Sequence, residues 1–387
     1  MRHIFFLFGL CLFLVACASE KSADVFNFQA DPQEVPEKEV STLKIGDKAP
    51  DFRLPSTDER YYSLSDFKKE VLVIIFTCNH CPTAQAYEER IKNVVNDYKD
   101  KSVQVVGISP NSPLGLLYEE LGYSDLGDDF DEMILRDEAH EFNFPYLYDG
   151  DDQEVSLAYG PVATPHVFIF DKERILQYVG RIDKSEKPGT ANAEDMRAAI
   201  DAILDGQSPE LNTTKTFGCS TKWGWKTALK SKIDKEWAEK EVSLDDLSKE
   251  GLQNLLANKD SKKLRLINFW ASWCGPCRLE YPDFVIIQRM FGARDFEFVS
   301  VSLDNANKKA KALEILEKAE SSLQNYISEI TDKYELIELV DKDWNGALPY
   351  TVLIEPGGNV VWSYQGEVDF LKLKRTIVDH EMIGRVY

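Results

Sequence analysis

Two stretches of the chain set a pair of cysteines two residues apart: FTCNHCPT at 76–83, with Cys78 and Cys81, and WCGPCR at 273–278, with Cys274 and Cys277. A disulfide between such close neighbours closes a very short loop and constrains little of the unfolded chain, so its value is redox exchange rather than bracing. Where the pair opens a helix, unpaired backbone N–H groups and the helix dipole favour a thiolate on the first sulfur, and the second lies one turn inside. This makes Cys78 and Cys274 the expected attacking thiols and Cys81 and Cys277 the resolving ones. Redox-active disulfides suffice for that chemistry, so no further cofactor and no metal is expected. The first pair differs from the second in carrying His80. A protonated imidazole there is expected to stabilise the Cys78 thiolate, favour the reduced pair and raise its potential. Cys219 is left over, either a buried inert thiol or an auxiliary relay thiol.

The elements around each pair follow one grammar. VLVIIF at 71–76 reads as a buried strand, and Ala84, Tyr87, Ile91, Val94, Val95 and Tyr98 recur at helical spacing directly after Cys81. VQVVGIS at 103–109 is a second strand, 166–171 and 175–182 a hairpin, and 191–205 an amphipathic helix. The second half repeats the order: a helix from a capping box at Ser243–Asp246 to about Lys259, a strand at 264–270, a helix from Pro276, a strand at 296–303, a hairpin at 350–365 and a closing helix near 368–381. The βαβ then ββα order, met twice, predicts an α/β chain of two tandem thioredoxin-like domains, each a central mixed sheet flanked by helices. Domain boundaries are expected at 44–207 and 227–387, with 208–226 a linker containing Cys219.

Composition sets limits on partners. A net charge of −21, from 66 acidic against 45 basic residues, argues against nucleic acid and against electrostatic docking on anionic lipid. Between Asp125 and Glu154 twelve acidic residues stand against one basic residue, Arg136, a run expected to form a solvated face; its spacing matches no calcium loop. At the N-terminus a basic Arg2 precedes an apolar run from Ile4 to Val15, too short to span a bilayer and of the form of a secretory signal over 1–16. His3 falls within it; His140, His166 and His380 are expected to be structural or solvent-facing.

The signal ends in Leu14-Val15-Ala16-Cys17, which resembles a bacterial lipobox and implies lipidation of Cys17, a flexible tether over 17–43, and a place in the bacterial cell envelope outside the cytoplasm. NFWASWCGPCRLEYP at 268–282 resembles the active site of TlpA-like thiol-disulfide reductases, and the likeness extends over 227–387. Residues 44–225 resemble the redoxin, AhpC/TSA-related branch, with CNHCP, NFPYLYD at 143–149, TPHVFIFD at 164–171 and FGCSTKW at 217–223. These resemblances imply a cis-proline facing each cysteine pair, at Thr164-Pro165 and Leu348-Pro349, which would offer the backbone of Thr164 or Leu348 to a peptide as a strand partner. They imply that Glu280 handles the proton of the second pair, a device for which the first domain has Ala84. They also imply protein or small-molecule disulfide substrates and an upstream membrane electron donor. Gly-Pro between the cysteines belongs by resemblance to the reducing end and X-His to the oxidising end, so the second domain is expected to be the stronger reductant. Two other readings compete. A thiol peroxidase would use the Cys81-Pro82-Thr83 surroundings but lacks a usable Arg, and a Cu(I) carrier would use Cys78, His80 and Cys81 as soft ligands.

Overall fold

A computed structural model describes residues 36–385; the signal, the lipidation site Cys17 and most of the tether lie outside the described residues. Among the described residues two large sheets form, one per half, beside two two-stranded ones. In the first, Val71–Phe76 is the central strand, apolar throughout because both of its faces are covered. Val103–Ser109 and then Tyr146–Tyr148 lie parallel on one side of it, and His166–Phe170 and Leu176–Gly180 antiparallel on the other. Register is set by apolar triplets such as Val106, Ile74 and Phe168. The two faces bury separate clusters, one around Val73, Tyr87, Ile91 and Ile169, the other around Leu72, Ile74, Phe168 and Phe170.

The second sheet repeats this plan with one extra edge strand. Leu264–Trp270 is central, flanked by Phe296–Ser302, Gln324–Ser328 and Asp245–Leu247 in parallel, and by Tyr350–Ile354 and Val360–Gln365 in antiparallel pairing. The expected capping box at 243–246 is corrected here. Asp245–Leu247 is the added parallel strand, and the helix starts later, Lys249–Ala257, capped by the Ser248 hydroxyl on the Gly251 N–H. Pairing with Gln324–Ser328 outweighs a local cap signal.

Two further expectations change. Residues 208–226, expected as a linker, are tied to the first half: Asn212 and Thr214 hydrogen-bond to both backbone groups of Val179, and Cys219–Ser220 pairs antiparallel with Ala163–Thr164. The acidic run is a solvated face only in part: Asp131, Glu138, Glu141, Asp152 and Glu154 are exposed, but Asp125, Asp128 and Asp149 are buried. Asp149 accepts from the backbone and hydroxyl of Ser156, and burial pushes its carboxyl up to about 7. Asp125 receives Arg375 and Arg385 from the second half.

The halves meet along the helix Gly275–Phe291, whose later turns pack on residues 118–121. Arg289 holds Glu119 at 2.9 Å and Asp234 at 2.7 Å, and Arg294 donates to the Gly122 carbonyl. A cavity of about 320 Å³ lies between them, lined by Leu116, Asp128 and Glu132 on one side and Asp283, Ile287 and Met290 on the other. Among the described residues no helix is long and apolar enough to cross a membrane.

Candidate active sites

Both cysteine pairs sit where the central strand hands over to its helix, but in different registers. In the second half Cys274 is itself the residue that caps the helix Gly275–Phe291, and its sulfur accepts the Cys277 N–H at 3.3 Å. Here Cys274 and Cys277 are joined in a disulfide. Trp273 and Leu279 beside them are 70% and 79% exposed. A groove of about 540 Å³, lined by Gly275, Pro276, Leu279, Pro282, Ile315 and Glu367, runs along this end of the helix. One turn beyond Cys277, Glu280 is buried. Its Oε2 accepts the Val368 N–H at 3.0 Å, and its Oε1 has no hydrogen-bond partner. Burial, with the neighbouring Glu367 charge, pushes this carboxyl up to about 7, so Glu280 can bind or release a proton near neutrality. The Leu348-Pro349 bond is cis and opens the strand Tyr350–Ile354, whose Tyr350 pairs with Phe269 near the cysteine end of the sheet.

In the first half the helix begins three residues later relative to the motif: Cys81 is the capping residue of Pro82–Tyr98, and Cys78 precedes it. All three thiols of this site are free. The Cys78 sulfur lies 3.1 Å from the Thr164 hydroxyl. Cys81, as a thiol, donates to the Thr164 carbonyl at 3.3 Å and also receives the Cys219 N–H at 3.3 Å. Cys78 and Cys81 are 2% and 0% exposed, whereas Cys219 is partly exposed.

The electrostatics favour Cys81, not the expected Cys78. Burial, the hydrogen bond with Cys81 and the Asp128 charge push the Cys78 thiol well up. Burial would raise Cys81 as well, but hydrogen bonds from Cys219 and Cys78, the His80 charge and the Ala84 backbone N–H hold it well below the usual thiol value. The role expected of His80 is redirected accordingly, with its charge acting on Cys81. Burial alone would lower the His80 pKa; the charge and hydrogen bond of Asp128 overcome this and raise it. The ring is 1% exposed, its Nδ1 lies 2.5 Å from Asp128 Oδ2, and its Nε2 has no hydrogen-bond partner. Asp128 Oδ1 accepts the backbone N–H groups of Asn79 and His80, and Oδ2 also accepts the Asn111 amide at 2.7 Å. Asn111 in turn accepts the Lys222 N–H at 2.8 Å. The Cys219 segment and the His80 ion pair therefore belong to one hydrogen-bonded chain.

Asp128 and Asn111 were not singled out from the sequence; the available signal was a buried histidine's need for a counter-ion. One cysteine sulfur, a His80 nitrogen and an Asp128 oxygen lie within 4.8 Å of one another, but the cysteine is Cys78, and Cys81 does not complete the set. His80 Nδ1 is already committed to Asp128. The Thr164-Pro165 bond is cis, yet the Thr164 backbone is not free for a peptide, because Cys219 is paired opposite it. Gly218 permits this approach: its φ is +133°, and a Cβ there would sit 2.0 Å from the Thr164 carbonyl oxygen. The other described histidines are structural, His140 beside Glu88, His166 against Phe168 and His380 on Glu355.

The AhpC/TSA family profile matches residues 45–179 and again 234–363. Thiol-disulfide oxidoreductase ResA of Oceanobacillus iheyensis is 25% identical over 156 residues, which are 38% of this chain and 66% of that protein. A thioredoxin of Coprinus comatus is 43% identical over 54 residues, 14% of this chain and 49% of its own length. The chain thus spans about half to two thirds of the length of these curated relatives. The crystal structure of an uncharacterized conserved protein from Geobacillus kaustophilus, 34% identical, covers 49% of this chain and 97% of its own, with a TM-score of 0.42.

Proposed function

Because the chain belongs to the AhpC/TSA family in both of its halves, we propose that it is a thiol-disulfide oxidoreductase of the cell envelope, exchanging disulfides through two CxxC sites and reducing protein disulfides. The observation that carries the reading is the second site: a Cys274–Cys277 disulfide at a helix start, beside exposed Trp273 and Leu279, with the buried Glu280 one turn below. In the reducing half-cycle an electron donor cleaves that disulfide. Cys274 then attacks a substrate disulfide and forms a mixed disulfide, and Cys277 releases the reduced substrate while Glu280 takes the Cys277 proton. The chain's own cysteines carry the electrons. Lipidation at Cys17 would hold it at a membrane from which an upstream donor supplies them.

The test is reduction of a protein disulfide by the purified full chain. Cys274→Ser and Cys277→Ser should each abolish turnover, and the Cys277→Ser protein should trap its substrate as a mixed disulfide. Wild-type turnover by both variants would sink the proposal. Cys17→Ala should move the protein from the membrane to the soluble fraction; retention at the membrane would reject the anchor.

One feature favours a peroxidase as second reading: the surroundings of Cys81, with the His80 charge and the hydrogen bonds from Cys219 and Cys78, hold its thiol below the usual value. Against it, the arginines Arg90 and Arg136 of this half are committed to Asp183 and Glu88. Peroxide consumption by Cys78→Ser at rates well above free thiol would establish it, and no consumption would remove it.

A further inference from the structure

Resting on the exchange reading above, we propose that Cys219 is the exchange thiol of the first site, moving its disulfide from the buried Cys78–Cys81 pair to Cys81–Cys219, where an external dithiol can reach it. Three observations carry this. Cys78 and Cys81 are closed off from solvent, while Cys219 alone of the three sulfur-bearing residues is partly exposed. Cys219 also stands where a substrate would stand. Its strand pairs with Thr164, the residue before the cis-proline, which puts a cysteine of the chain itself on the backbone that a peptide would otherwise use. Its N–H then points at the Cys81 sulfur from 3.3 Å, and Gly218 supplies the close approach that this requires.

The step balances within the protein. With Cys78 and Cys81 oxidised, Cys219 gives up its proton and its sulfur bonds to Cys81. The Cys78–Cys81 bond breaks, and its electron pair leaves on Cys78, which takes up the proton. No electron enters or leaves. An external dithiol then attacks the Cys219 sulfur, Cys81 departs as the thiolate that its surroundings favour, and the second thiol of the reductant releases Cys219. Two electrons and one proton have entered the protein, the second proton passes to solvent while Cys81 stays a thiolate, and the reductant has become a disulfide.

The segment that carries the thiol is anchored: the Lys222 carbonyl receives the Ser112 N–H at 2.7 Å, and Thr221 donates to the Pro161 carbonyl. The Lys222 N–H ends on Asn111, which is bonded to Asp128. The thiol is held at the site by the same groups that hold His80.

Two measurements on the full chain test this. In Cys78→Ser treated with glutathione disulfide, peptide mapping without reduction should find Cys81 linked to Cys219 in most molecules. A Cys81–glutathione adduct with Cys219 free would overturn the proposal. In Cys219→Ser, whose backbone contact to Cys81 is retained, reduction of the first-site disulfide by dithiothreitol should slow by at least about tenfold, while reduction of Cys274–Cys277 keeps its wild-type rate and reports an intact fold. Equal slowing at both sites, or none at either, would also overturn it. Failure of the functional proposal reads differently: the Cys81–Cys219 link would form, and the wild type would reduce no protein disulfide.

Discussion

Replacing Asp128 by Asn changes one oxygen for one NH₂ and tests the electrostatic account of the first site directly. Asp128 accepts four hydrogen bonds: backbone N–H groups of Asn79 and His80 on Oδ1, and His80 Nδ1 and the Asn111 amide on Oδ2. An Asn can keep the Oδ1 pair, but its NH₂ then faces the Asn111 donor and leaves the buried imidazolium without a counter-charge. Breaking a buried pair from one side costs about 3–5 kcal/mol, and because half the hydrogen bonds survive we expect the lower end, about 3 kcal/mol. The pH dependence has a definite sign. His80 is raised, so its contribution is fully present below the unfolded histidine value and is lost as pH rises through its folded pKa. Asp128 is lowered, despite its burial, chiefly by the His80 charge, so its contribution is present above the unfolded aspartate value and is lost as pH falls through its folded pKa. The difference between wild type and variant should therefore be largest between roughly pH 4 and 6.5 and shrink as the solution becomes alkaline. Urea unfolding at pH 5.5 and 8.5 reads it. Ultraviolet thiolate absorbance should meanwhile show the Cys81 titration moving up by at least one unit, about 1.4 kcal/mol. A stability loss below about 1 kcal/mol at pH 5.5, with an unmoved thiolate titration, would refute the reasoning.

Three other outcomes follow from the geometry. Glu280→Gln should remove an inflection near pH 7 from the rate of Cys274–Cys277 reduction. The raised Glu280 pKa favours folding of the protonated form, so this stabilisation is lost as pH climbs from the unfolded value through about 7, and the Gln variant should lose less stability than wild type between pH 5 and 8. Trp273→Ser with Leu279→Ser should lower kcat/KM for an apolar peptide disulfide by about tenfold or more, since burying one such side chain is worth about 1.5–3 kcal/mol, and should leave a small polar disulfide almost unaffected; equal losses on both substrates would remove the groove from the account. Redox titration of variants retaining one pair each should give the first site the higher potential, because the His80 charge stabilises its reduced form; a first-site potential equal to or below the second's would reject that ordering.

The central strands and cysteine helices were legible in the sequence because VLVIIF is an unbroken apolar run and LRLINFW is broken only by Arg265 and Asn268, a pattern that a sheet covered on both faces absorbs. The acidic run was misread only at its buried members, for a reason of scale. Composition sees twelve carboxylates, whereas burial depends on partners brought from elsewhere, Arg375 and Arg385 lying 250 and 260 residues from Asp125. The strand Asp245–Leu247 was missed because its charged residues are exposed and its stability comes from parallel pairing, which has no local signature. Cys219 was visible as a leftover thiol, but its contact with Cys81 spans 138 residues and requires the fold.

The two cysteine pairs share a spacing and differ in where the helix begins, and most of their difference in behaviour follows from that. When Cys274 caps the helix, the sulfur nearest solvent is also the one beside the unpaired N–H groups, so access and activation coincide. When Cys81 caps it, activation falls on the sulfur with no exposure, and access must be supplied from outside the motif. His80, held charged by Asp128, strengthens that activation without opening the site, since both are buried and the His80 charge acts on Cys81. Among the described residues no buried histidine accompanies the second pair, and on the proposed reading the single carboxyl of Glu280 would handle its proton instead. Electrons passing down the potential difference would run from Cys274–Cys277 to Cys78–Cys81. The helix that joins the halves sets the obstacle: Ile287, which borders the cavity against Asp128, lies thirteen residues from Cys274, about 20 Å along the axis. Across that span, transfer between the pairs would call for either a small dithiol carrier or separation of the halves at the Arg289, Arg375 and Arg385 ion pairs.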